Sequence, residues 1–136
     1  MNELKTTLVL GGSESNMESI LNSVKSHIGV SESDTHFDPD IILDINSVFS
    51  ILRQMGVGPE TTFSIVDDST IWNDFLDDDD YNEVKTYMYL KVKMMFDPPT
   101  NSNIMNAMKE QINELEWRLN VSASNESMEE DDEDDE

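Results

Sequence analysis

The chain has 136 residues, enough for one domain with a modest core, and no cysteine, which excludes a disulfide framework and a thiolate metal site. Thirty acidic residues against eight basic ones give a net charge of −22, so the chain lacks the basic surface with which proteins coat nucleic acid. No stretch approaches the roughly 20 apolar residues of a membrane span, and the apolar run at 8–10 is too short for a signal peptide, so we expect a soluble protein.

Residues 1–16 predict a flexible or extended N-terminal arm. The arm contains the apolar residues Leu8, Val9 and Leu10, followed by a Gly-Gly-Ser break. A lone strand of about five residues is not stable by itself, so the arm is expected to pair within the fold, to pair with a neighbouring subunit or to stay disordered.

Two helices follow with clear start signals. The first is predicted to begin at a capping box of Ser15 and Glu18 and to end at Gly29, with apolar residues three and four apart between them. The second is predicted to begin with Asp38 as N-cap and Pro39 at the first helical position. Its broad apolar face makes it the expected centre of the core.

The segment after the second helix is irregular. "TFSIV" at 62–66 is interpreted as a brief strand or an extended segment. A short helix, capped by Ser69 or Thr70, is expected to carry Trp72. The four aspartates at 77–80 interrupt the chain before the next helix.

A helix is predicted over about 81–96, apolar on more than one side, and Asp97-Pro98-Pro99 forbids its continuation. A last helix is predicted over about 103–120, capped by Thr100, Asn101 or Ser102, with a salt bridge between Glu114 and Arg118. Residues 122–136 predict a disordered acidic tail. The predicted fold is therefore all-α: a small bundle of four main helices and one short helix over residues 17–121.

No catalytic or metal-binding pattern emerges. The two histidines lack a HExxH context, the aspartate-rich segments lack the glycine of an EF-hand loop, and "LGGSES" lacks the lysine of a phosphate-binding loop. We therefore expect no enzyme activity, no metal and no cofactor. What remains is surface for partners.

The candidate contact residues are mostly apolar. Nine methionines, several of them near the proline turn, allow either an adaptable contact face or ordinary core filling, and we favour core filling. Tryptophans commonly anchor partners, although packing within the monomer is an equal alternative here. The candidates for a partner or subunit interface are Leu8, Val9, Leu10, Trp72, Phe96, Pro98, Pro99, Trp117 and Val121.

The order of segments resembles the head–tail connector (adaptor) proteins of tailed bacteriophages. The resemblance covers about residues 17–121 and rests most on "YMYLKVKMMFDPP" (87–99) and "MKEQINELEWRLNV" (108–121). It implies a helical virion protein, assembled in the host cytoplasm, that forms a homo-oligomeric ring of about twelve copies beneath the portal protein. Such a ring extends the DNA channel without sequence-specific DNA binding and offers a platform for neck or tail proteins.

The alternative hypothesis is an acidic DNA mimic that inhibits a basic nucleic-acid-binding enzyme. The acidic surface fits both hypotheses, because an acidic wall also lets a duplex slide past without sticking. We further expect the segment after Trp117 to be ordered by a partner rather than by the fold of the monomer.

Overall fold

The computed structural model describes residues 17–76 and 81–134. Within these ranges no β-strand is formed, and the chain is helical, as predicted. The helices are α1 (Ile20–Ile28), α2 (Asp38–Gln54), α3 (Trp72–Phe75), α4 (Tyr81–Phe96) and α5 (Ser102–Asp134). Helix α4 packs on α1, α2 and α5, which explains why its apolar residues cover more than one side.

Helix α1 begins later than predicted. Its N-cap is Ser19, whose hydroxyl accepts a hydrogen bond from the Asn22 N–H at 3.2 Å, and not Ser15, which lies outside the described residues. The reason is a tertiary one: Ser19 forms an antiparallel bridge with Ile71, which keeps Ser19 outside the helix. Gly29 ends the helix with a φ of 85°, confirming the predicted left-handed cap.

Helix α2 supplies the centre of the core, as predicted. Its buried face consists of Ile41, Ile45, Val48, Phe49 and Leu52. Its start differs slightly from the prediction, because Phe37 is the N-cap and no side chain caps the helix. Asp38 instead lies 2.8 Å from the ammonium of Lys25 on α1.

The 62–66 segment is extended but forms no strand. The side-chain amide of Asn46 on α2 takes the place of a strand partner: its Nδ2 donates to the Ile65 carbonyl at 3.0 Å, and its Oδ1 accepts from the Ile65 N–H at 2.8 Å. This pair of bonds satisfies the backbone of a buried residue that no sheet reaches.

The proline turn ends α4 at Phe96, as predicted. The Asp97 N–H still donates to the Lys93 carbonyl at 2.9 Å, and Pro98 and Pro99 then turn the chain. The side chain of Asn101 caps α5 by accepting from the Asn103 and Ile104 N–H groups, which selects one of the three predicted caps.

Helix α5 runs to Asp134, well past the end predicted near Asn120. Leu119 is 1% exposed and Ala123 packs on the core, so the fold of the monomer itself holds α5 as far as Ala123, contrary to the expectation for the residues directly after Trp117. Beyond that point each added residue gains a helical hydrogen bond without a new nucleation cost, which lets a solvated helix continue. Disorder of 122–136 in the isolated chain stays a prediction.

Candidate subunit and partner surface

Trp72 lies in the core and not on the surface. It is 0% exposed, and its indole Nε1–H donates to the Ser23 hydroxyl at 2.8 Å. The bridge between Ser19 and Ile71 pulls α3 against α1, and the Phe49 ring packs on the indole with centroids 6.2 Å apart. Trp72 therefore follows the alternative of packing within the monomer and does not offer its ring to a partner.

Trp117 and Val121 lie on the outer face of α5. Trp117 is 66% exposed and Val121 is 38% exposed. Met128, also 66% exposed, follows Trp117 by eleven residues, which returns to nearly the same side of a helix. These three residues form an apolar line about 16 Å long with no described partner, which we call the outer stripe. Sequence reasoning identified two of its members and missed Met128.

The proline-turn candidates lie at the C-terminal end of α4 and directly after it. Phe96 is half-buried and packs edge-to-face on Phe37, with ring centroids 5.5 Å apart. Pro98 is exposed and Pro99 is half-buried. The turn therefore offers a small aromatic and proline surface, although part of it is already used within the monomer. The remaining candidates, at 8–10, lie outside the described residues.

A groove runs between α4 and α5. Its cavity of about 270 Å³ is lined by Lys91, Met94, Met95, Lys109, Ile112, Asn113 and Glu116. Met95 is 44% exposed, whereas Met88 on the same helix is fully buried. The methionines therefore divide between the two interpretations, some filling the core and some facing this groove. The sequence drew attention to the methionines but not to Lys91 and Lys109.

One wall of the groove is fixed by a polar contact to α4. The Tyr87 hydroxyl donates to Glu116 Oε2 at 2.7 Å. Burial, and then the negative charge of Glu116, raise the pKa of the Tyr87 hydroxyl above its usual range. One carboxylate oxygen of Glu116 is thus held by Tyr87, and Lys91 and Lys109 supply the positive charges of the groove.

A second, more apolar groove lies between α1, α2 and the 65–68 segment. Its cavity of about 740 Å³ has an apolar floor and an acidic rim, lined by Leu21, Thr35, Asp38, Pro39, Ile42, Asn46, Ile65, Val66, Asp67 and Asp68. Asp67 closes a local turn by accepting hydrogen bonds from the Ser69 backbone and hydroxyl, which lower the pKa of its carboxyl. The Asp67 carboxylate therefore stabilises this turn.

Within residues 17–76 and 81–134, no three His, Cys, Asp or Glu side chains lie close enough together to hold a metal ion. His27 instead stacks on the Tyr89 ring at 3.7 Å, and His36 packs edge-on against Phe37. None of the described helices is long and apolar enough to cross a membrane.

Comparison with known proteins identifies one matching family. The model of a family described as phage connector protein matches residues 20–126, from the first residue of α1 to beyond the last core residue of α5. No curated protein and no solved structure matches the chain.

Proposed function

This chain belongs to the phage connector protein family, and we propose that it is the subunit of a ring that docks beneath the portal, extends the DNA channel and carries neck or tail proteins. Its place would be the head–tail interface of the virion, and we assign it no catalysis and no cofactor. The observation that carries the proposal is the extent of the family match, which spans all the described residues that form the packed core.

The surface of the monomer fits a ring subunit. A ring needs a head-to-tail contact, in which two different patches on each subunit meet. The outer stripe lies on α5, one groove lies between α4 and α5, and the other lies between α1, α2 and the 65–68 segment, and the three surfaces differ in charge. These three surfaces supply the two patches that ring closure requires and one for a further partner.

The charge fits a channel wall. Within the described ranges, the lysines and arginines that are ion-paired include Lys25, Lys85, Lys93 and Arg118. A basic lining would hold a passing duplex by counterion release, whereas an acidic one repels it. A net charge of −22 therefore favours passage of DNA over its retention.

The proposal is tested by mixing the full chain with its portal protein and measuring particle mass and shape by mass photometry and electron microscopy. We expect a ring stacked on the portal, coaxial with its channel. Replacing Trp117 and Val121 by serine should weaken docking or ring closure, because the outer stripe loses its apolar surface. The matched control is Ile104→Ser, since Ile104 is also exposed, at 54%, and lies elsewhere on α5.

A chain that stays monomeric and does not bind the portal at any tested salt concentration would contradict the proposal. Salt-sensitive binding of the helical domain (residues 17–121) alone to a basic nuclease or repressor would instead support the DNA-mimic hypothesis.

A further inference from the structure

Two lysines in the α4–α5 groove have no carboxylate partner among the described residues. In the described part of the chain, Lys25, Lys85 and Lys93 lie 2.8, 3.0 and 2.9 Å from carboxylate oxygens. Lys91 and Lys109 have no described carboxylate within 4 Å, although the chain contains thirty acidic residues. Both lysines line the same groove.

The groove combines these charges with an apolar floor. Met94, Met95 and Ile112 line the groove together with the two lysines, and Met95 is 44% exposed. Methionine surfaces adapt to irregular apolar partners. A ligand that fits therefore carries an apolar side chain next to several carboxylates.

The chain contains a segment of this chemistry. Met128 is 66% exposed, and the eight residues that follow it, 129–136, are all acidic. Helix α5 extends beyond the packed core, since Ala123 is the last described residue that packs on the core. We propose that Met128 and the acidic segment 129–136 of one copy bind the α4–α5 groove of a second copy.

The partner is a second copy because α5 is continuous. Glu116, at the end of the groove, and Glu129, at the start of the acidic segment, are thirteen residues apart on one helix, which separates them by about 20 Å along its axis. The helical backbone at 129–134 therefore extends away from the groove of its own chain. The contact joins two different patches, so it repeats from copy to copy and supplies one subunit contact of the ring, resting on the proposed function above.

The test uses two full-chain variants that each lack one half of the contact. The groove variant carries Lys91→Glu and Lys109→Glu, and the tail variant carries asparagine or glutamine in place of the eight acids at 129–136. Sedimentation velocity at low salt should show self-association of the wild type, at least about tenfold weaker self-association of each variant, and a one-to-one complex in their mixture. That complex should weaken as salt rises, because charge pairs at a surface are screened.

The matched control carries Arg53→Glu and Lys93→Glu, which changes the net charge as much as the groove variant but lies outside the groove. It should associate like the wild type. A monomeric wild type at low salt, a mixture no more associated than its components, or an equal loss in the control would each overturn the contact. Docking to the portal is scored separately: a wild type that docks while its groove variant forms identical rings overturns this contact and leaves the proposed function intact.

Discussion

Replacing the buried Lys25 by methionine should destabilise the protein more than any comparable lysine substitution. The Lys25 side chain is 1% exposed, and its ammonium donates to the carbonyls of Glu32 and Asp34 at 3.1 and 2.8 Å. It also lies 2.8 Å from Asp38 Oδ1, in a charge contact whose angle is not that of a directed hydrogen bond. One cation therefore ties α1 to the loop after it and to the start of α2.

The expected loss follows from these three contacts. A hydrogen bond to a buried charged group contributes about 1.5–3 kcal/mol, but here the loop carbonyls regain water and Asp38 is 22% exposed, so we take about 1 kcal/mol for each contact. The total is about 3 kcal/mol in the free energy of unfolding. For a domain of this size it corresponds to a fall of about 10–15 °C in Tm.

Urea unfolding followed by far-UV circular dichroism measures this loss. The matched control is Lys93→Met, whose surface pair with Asp97 is 31% and 66% exposed and should contribute less than about 1 kcal/mol. A double-mutant cycle with Asp38→Asn separates the charge contact from the two carbonyl bonds. If Lys25→Met unfolds within about 0.5 kcal/mol of the wild type, or no more easily than the control, the reasoning is refuted.

Three further outcomes are expected. Gly58→Ala should cost about 2–3 kcal/mol of stability in a urea melt, because Gly58 has a φ of 88° and an added Cβ would overlap the Phe75 ring. The control Gly29→Ala should cost about 1 kcal/mol, because Gly29 has a similar φ of 85° but open space around the added Cβ. The contribution of Tyr87 to stability should be constant with pH below about 10 and fall above it, because its raised pKa favours the neutral hydroxyl in the fold. Tyr87→Phe should therefore reduce the alkaline loss of stability in melts from pH 8 to 12. Deleting 127–136 should leave the urea midpoint unchanged, since Ala123 is the last described residue of α5 that packs on the core, and a lower midpoint would contradict this.

The helices that depend on local signals could be predicted from the sequence. Apolar spacing identified α2 and α4, the prolines at 98–99 marked the turn, and Gly29 marked the end of α1. The predicted salt bridge between Glu114 and Arg118 is confirmed at 2.7 Å. Each of these features is decided by residues a few positions apart.

The features that sequence reasoning missed depend on distant residues. The sequence could not decide whether Trp72 contacts a partner or packs within the monomer, because its hydrogen-bond partner Ser23 lies 49 residues away and α3 is placed by a bridge to α1. Lys25 gave no signal, because two of its three acceptors are backbone carbonyls, which any residue provides. The α4–α5 groove could not be predicted either, because it depends on two separate helices that bring Lys91 and Lys109 to the same surface.

The charge of the chain limits which surfaces can join its copies. Two molecules of net charge −22 repel, so a contact between copies must either place cations against acids or bury enough apolar surface to offset the repulsion. The outer stripe offers the second route and the α4–α5 groove the first, and salt acts on them with opposite sign. Screening weakens a contact between the groove and the acidic segment, whereas it strengthens an apolar contact by reducing the repulsion. Association that falls with salt therefore argues for the groove, and association that rises with salt argues for the outer stripe.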